Sequence, residues 1–339
     1  MRGALPFLAV LILAHPALAR SGSERAAPAL RPAPDTSAPF YRELRRPGYQ
    51  RSRTLLRQAM RHLEDALAQP SPWRRAAIIE SAITRLELAR TRAPDDPEVL
   101  FYLAYAVAQW EEPVANGPTR RRNREAIALF ERLRELDSDY RASQVALELG
   151  VLFTRTGRFE RAIEEYRQGI AAAFSPAETA TACSNLGEVT MLSGDLPAAI
   201  ESYERAVSIA RNGGASHAMS LVLSLYGLAV ALDRYGDGPT ALERAREAYG
   251  AGAGLGVLRS EGVFFEPAYE IHYYEGLGSL AAVDTAAGSA ERSQLMRDSL
   301  RSFQRFLAEG GSIGLYASAA ERHVRELDAR LRSAERSRP

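Results

Sequence analysis

The chain has 339 residues, enough for two compact domains or one elongated array, and its 46% apolar content is sufficient for a packed core. All 43 basic residues are arginine, which removes the classes that depend on a lysine: Walker-type phosphate loops, Schiff-base enzymes and protein kinases. The net charge of +1 argues against general nucleic-acid binding.

Residues 1–19 predict a secretory signal peptide. Arg2 precedes the apolar run Ala4–Ala14, and the small residues Ala17 and Ala19 precede a cleavage point at Arg20. A helix over that run would cover about 16 Å of a hydrocarbon layer of about 30 Å, too little for a spanning anchor. No later segment reads as apolar enough to cross a bilayer, so no transmembrane segment is expected. An arginine-only basic set suits a GC-rich bacterial genome, and export then points to the periplasm or the outer membrane. Cys183 is the single cysteine, so no disulfide framework accompanies export. Residues 20–40, rich in Pro, Ala and Ser, read as a disordered linker.

From residue 41 to 312 helical periodicity dominates, with no alternating strand pattern of useful length. Brief turns such as "APDDP", "RTGRF", "AFSPA" and "LSGDL" separate the apolar segments. One phrase occurs nearly twice: "LGVLFTRTGRFERAIEEY" from Leu149 and "LGEVTMLSGDLPAAIESY" from Leu186. In each, a helical segment ends at a glycine (Gly157, Gly194) suited to a left-handed cap. A second helix follows, placing Ala162 or Ala199 opposite Gly150 or Gly187, so that the paired helices can approach closely. Leu149, Phe153, Phe159 and Tyr166 fill the space in the first copy; Leu186, Leu196 and Tyr203 fill it in the second. A single hairpin cannot bury its own apolar face, whereas stacked hairpins can.

These residues resemble the tetratricopeptide repeat, a helix-turn-helix unit of about 34 residues. Further copies are read at Leu103, Ala104, Val107, Ala126 and Phe130, with a loop inserted at about 111–121, and at Leu228, Ala229, Leu232, Gly236 and Ala241. A late copy uses Leu277, Gly278, Ala281, Ser299, Phe303 and Phe306. The resemblance implies an all-α fold: five to six helix pairs over 41–312, stacked as a right-handed α-solenoid. Residues 313–339 would form a C-terminal capping helix and tail, with Tyr316, Ala320, Val324, Leu327 and Leu331 on its packed face. It also implies a non-catalytic scaffold that binds a protein or peptide in a concave groove lined by the first helix of each pair. Carried onto this sequence, the groove positions are Phe101, Tyr105, Gln109, Gln144, Val151, Thr154, Arg155, Ser184, Glu188, Met191, Tyr226, Asp233, Arg234, His272, Glu275 and Ser279. An alternative is a structural subunit of an envelope or secretion assembly that docks through its ends.

Chemical motifs fail on context. "GGSIG" (Gly310–Gly314) spells a nucleophile elbow, and a hydrolase centred on Ser312 is the catalytic alternative. That turn must follow a strand, and here it follows a helical segment. "GAGAGLG" (Gly250–Gly256) lacks the dinucleotide glycine spacing and reads as a flexible inter-helix loop. The five histidines show no metal-ligand spacing, and no cofactor is expected. His272 reads as a hydrogen-bonded, half-buried residue near Glu270 and Glu275. Cys183 reads as a small buried thiol. Two arginine clusters, over 42–61 and 120–124, read as solvated faces or as weak contacts for anionic surfaces.

Overall fold

The structure, a computed structural model, describes residues 10–12, 47–115, 117–173, 175–260, 263–265 and 267–336. Most of the expected signal peptide, the whole linker and Arg42, Arg45 and Arg46 lie outside the described residues. The described residues divide into two compact units, one over 47–152 and one made of 10–12 and the described residues of 153–336, with the division inside a helix. Strand β1 (Val10–Ile12) belongs to the second unit and pairs antiparallel with Val263–Phe265.

The first unit starts with the antiparallel hairpin of α1 (Pro47–Leu67) and α2 (Pro72–Arg92). Leu56, Ala59, Leu63 and Ala66 recur at three- and four-residue spacing and are buried against Ile79, Ala82, Leu86 and Ala89. Small residues bring the backbones together: Ser52 Oγ donates to the carbonyl of Ala89 at 3.0 Å. Helix α3 (Pro97–Gln109) begins where Asp96 accepts from the amides of Glu98 and Val99 and Pro97 occupies the first turn. Every residue of α3 from Val99 to Ala108 is buried. The expected loop at 111–121 is instead a hairpin of β2 (Glu111–Val114) and β3 (Gly117–Arg121). The cross-strand pairs Glu111–Arg121 (2.8 Å) and Glu112–Arg120 (3.0 Å) hold it. Helix α4 (Asn123–Leu136) returns to α3, with Phe130 edge-on to Phe101 at 6.0 Å. The division between units falls in α5 (Ala142–Arg155).

The second unit is a run of helices: α6 (Phe159–Ala171), α7 (Pro176–Leu192), α8 (Leu196–Asn212), α9 (Ala218–Tyr235) and α10 (Gly238–Ala251), then β4 (Val263–Phe265), α11 (Ile271–Ala282), α12 (Ser289–Glu309) and α13 (Ala317–Arg336). One dipeptide, Gly-Asp, makes two of its turns. Gly194 and Gly236 end their helices at φ 89° and 106°, and the next amide bonds back to Thr190 or Leu232 at 2.9 and 3.0 Å. The aspartates then start the following helices, Asp195 accepting from Ala198 N–H and Asp237 from Thr240 N–H. Gly157 takes the same left-handed conformation at φ 71°.

Glycine also sets helix separation. A Cβ added at Gly187 would lie 2.8 Å from the Tyr203 ring, and one at Gly227 would lie 2.3 Å from it. Tyr203 of α8 is thus gripped between glycines of α7 and α9, and its bulk is fully used. Helix α9 has the length and apolarity to cross a membrane, contrary to the reading that no later segment does. Its residues from Val222 to Arg234 are all buried in the unit, which accounts for that apolarity. Stacked helix pairs of this kind make the fold an all-α solenoid.

Candidate interaction surface

The inner positions inferred from the repeat pattern do not form one open lining. In the first unit Phe101 and Tyr105 are buried. The Arg141 guanidinium lies over the Phe101 ring at 4.9 Å and donates to Gln144 Oε1 at 2.8 Å. Gln109 and Gln144 remain half-buried. Burial, with Glu148 nearby, pushes the Tyr105 hydroxyl far above its ordinary value, so it stays protonated.

In the second unit Thr154, Ser184, Glu188, Met191, Tyr226, Asp233, Arg234, His272 and Ser279 are buried, whereas Arg155 and Glu275 are half-buried. Several of these meet in a polar network inside the unit. The Tyr203 and Tyr274 hydroxyls donate to Glu188 Oε2 at 2.5 and 3.2 Å. Asp233 receives three donors: the Tyr273 hydroxyl at 2.5 Å, His323 Nε2 at 2.8 Å and Arg322 at 3.1 Å. Arg234 pairs with Glu270 at 2.6 Å, with both side chains almost fully buried (0% and 2% exposed). Its guanidinium lies over the rings of Tyr273 (4.6 Å) and Tyr316 (4.3 Å). The Tyr316 hydroxyl donates to the Met191 carbonyl at 2.6 Å, tying the start of α13 to the end of α7.

Protonation follows from these contacts. Burial works to raise the Asp233 carboxyl, but the hydrogen bond and charge of His323, the Tyr273 hydroxyl and Arg322 outweigh it and hold the pKa below the ordinary 3.8. Burial pushes Glu270 up to about 7 against the pull of Arg234. Arg234 stays charged, because its partner carboxylate outweighs the burial that opposes its charge. Burial first, then nearby carboxylates, drives the hydroxyls of Tyr203, Tyr273 and Tyr274 well up, so all three remain donors.

His272 is buried between Glu275 (3.2 Å) and Glu309 (3.3 Å), with Arg259 also on Glu275. Ser312 is exposed in a short 3-10 turn after α12, without the strand that a nucleophile elbow requires. The "GAGAGLG" stretch is pinned rather than loose. Ala253 and Gly254 take left-handed φ, Gly254 N–H bonds to Tyr249 O at 2.8 Å, and the Tyr226 hydroxyl reaches Gly254 O at 3.3 Å. Cys183 is buried and burial raises its pKa, which favours the unreactive thiol. Among the described residues no three His, Cys, Asp or Glu side chains gather as metal ligands. The arginines of 120–122 are locally matched, Arg120 and Arg121 within their hairpin and Arg122 with Glu80 at 2.8 Å.

Repeated hairpins with glycine stops, alanine contacts and buried tyrosines define an α-helical repeat protein. Tetratricopeptide repeat families match residues 119–178 and 178–251, so the chain carries tetratricopeptide repeats over 119–251. No curated protein matches the sequence. Aspartyl phosphate phosphatase F from Bacillus subtilis is a structural neighbour at TM-score 0.52 and 13% identity, over 83% of this chain and 71% of its own. MamA (41-end) from Desulfovibrio magneticus RS-1 gives TM-score 0.46 and 19% identity over 60% and 96%. YrrB, described as a TPR protein with an unusual peptide-binding site, gives 0.39 and 13% over 70% and 97%. At these identities the likeness concerns the fold alone.

Proposed function

We propose that this chain is a non-catalytic protein–protein interaction scaffold that presents a preformed surface to a peptide or protein partner in the bacterial cell envelope. The observation that carries this reading is the array of tetratricopeptide hairpins over 119–251. Rigid presentation follows from the second unit's interior, where polar side chains join α7, α9, α11 and α13 at fixed geometry. A receptor ordered in advance loses little conformational entropy on binding. The inner positions that retain exposure are Gln109 and Gln144 in the first unit and Arg155 and Glu275 in the second, and on each unit these are the ones a ligand of that unit's inner face would touch.

Crosslinking in the native cell tests the reading. A specific partner should be captured by the wild-type chain and lost from alanine variants at these four positions, while unchanged capture across all four removes the inner face. Export rests on Arg2, the apolar run and the Ala17/Ala19 pair. Amino-terminal sequencing of the envelope-fraction protein should begin at Arg20, and an intact Met1 on cytosolic protein overturns the location.

A further inference from the structure

Among the described residues, the first hairpin has one flank with no helix packed on it. Ser52 faces α2, and Arg53, one residue on, pairs with Glu98 (2.5 Å) and Asp96 (3.5 Å) at the start of α3. Helix α3 therefore lies on the Arg53 side of α1. Arg51, one residue the other way, starts a stripe on the opposite flank that continues through Leu55 and Gln58 at four- and three-residue steps. On α2 the matching stripe is Arg85, Leu88 and Arg92. Between them runs a cleft of about 400 Å³, lined by Arg51, Leu55, Gln58, Leu88 and Arg92 among others. It continues past Gln58 into a second cleft of about 370 Å³ with Glu64, Asp65 and Arg85.

We propose that this seam is a docking groove for an acidic amphipathic helix of a partner protein. Two parallel ridges with a furrow between them are the shape that receives a helix, and from residue 51 to 62 the furrow is about 16 Å long, or three turns. Its floor is apolar, since Leu88 is 46% exposed and Leu55 is half-buried. Its first half carries Arg51 and Arg92 with no carboxylate in its lining, and neither arginine has an ion pair among the described residues. A helix with leucines at three- and four-residue spacing and glutamates beside them would fill the floor and match both cations. The chain's own preceding segment, "YRELRR" at 41–46, is itself basic and offers no such match. The proposal rests on the scaffold reading and names a surface other than the inner face.

The test uses the full chain and a labelled synthetic 16-residue peptide, helical, with that leucine spacing and flanking glutamates, alongside an arginine-for-glutamate counterpart. The acidic peptide should bind, with affinity falling as salt rises, and the basic one should not. The Arg51→Glu/Arg92→Glu double variant should weaken the acidic peptide at least tenfold and admit the basic one, and Leu88→Gln should weaken the acidic peptide alone. Equal binding of both peptides, or an acidic-peptide affinity unmoved by the double variant, overturns the proposal. So does a dimer of the chain alone that the double variant dissolves, or capture by phosphatidylserine vesicles without peptide binding. Native-cell crosslinking of wild type and double variant separates the layers: equal partner capture by both sinks the groove and leaves the scaffold. Capture by neither sinks the scaffold.

Discussion

The two units differ in where their charge pairs reach: both carry exposed pairs, such as Arg211–Glu247 and Arg246–Asp284 in the second, but the second also buries some. In the first, the pairs Arg53–Glu98, Arg122–Glu80, Arg120–Glu112 and Arg121–Glu111 sit at edges where both members keep contact with water. In the second, Arg234–Glu270 and Asp233–His323 sit inside, among tyrosines. Exposed pairs contribute about 0–1 kcal/mol each, because water competes and long side chains lose freedom. A buried pair gains little over an apolar core, yet removing one partner strands the other and costs about 3–5 kcal/mol. The same residue types therefore fasten surfaces in both units and, in the second, also specify helix positions.

The largest effect that can break this contrast is Arg234→Met. It leaves Glu270 without its counter-charge, and chemical denaturation should register a loss of about 3–5 kcal/mol. Arg234→Met/Glu270→Met should recover most of it. A single-variant cost no larger than that of Arg53→Ala would erase the distinction between the units.

Asp233 sharpens the contrast through pH. Its folded pKa lies below 3.8, so between the two values the unfolded chain binds more protons than the folded one. The stabilisation is complete above the unfolded value and is lost as pH falls through the folded one. Asp233→Asn should cost about 1–3 kcal/mol at neutral pH by leaving buried donors imperfectly matched, and should flatten the acid limb of the stability curve. An acid limb as steep as in the wild type would assign that limb to other carboxylates.

Gly227→Ala probes packing in the same unit without touching charge. The added methyl would meet the Tyr203 ring, which Gly187 blocks from the other side, so a cost of about 1–3 kcal/mol is expected. Gly238→Ala, with no atom within 4 Å of its would-be Cβ, should stay within about 0.5 kcal/mol. If both variants melt alike, Tyr203 has room to move and the grip between α7 and α9 is not tight.

Much of the fold was legible because its determinants are local. Gly157 and Gly194 announce their caps within the turn itself, and the spacing of Gly187 from Tyr203 follows from one hairpin. The β2–β3 hairpin was missed because its strands are too short to show alternation. The burial of several inner positions was hidden for a different reason. Asp233, Glu188 and Arg234 have the polarity of groove residues, but each also has a partner in a later helix pair: Tyr274 lies 86 residues from Glu188, and His323 lies 90 residues from Asp233. Spacing along one helix carries no record of such a pairing. His272 was readable because Glu275 is one turn away on the same helix.

The smallest expected effect tests the other side of the contrast. Arg120→Ala removes the Glu112 contact in the β2–β3 hairpin, where the arginine side chain is 72% exposed. Solvent screens that pair, Glu112 regains water when the arginine is gone, and no buried group is stranded. The stability change should fall within about 0.5 kcal/mol and shrink further at high salt. Arg121→Ala should cost slightly more, because its side chain is only 22% exposed and water screens its pair less. That ordering depends on burial rather than on ion-pair distance, since the two contacts differ by only 0.2 Å. A reversed ordering, or a cost near that of Arg234→Met, would mean that the hairpin charges are structural and that exposure does not decide what a pair contributes.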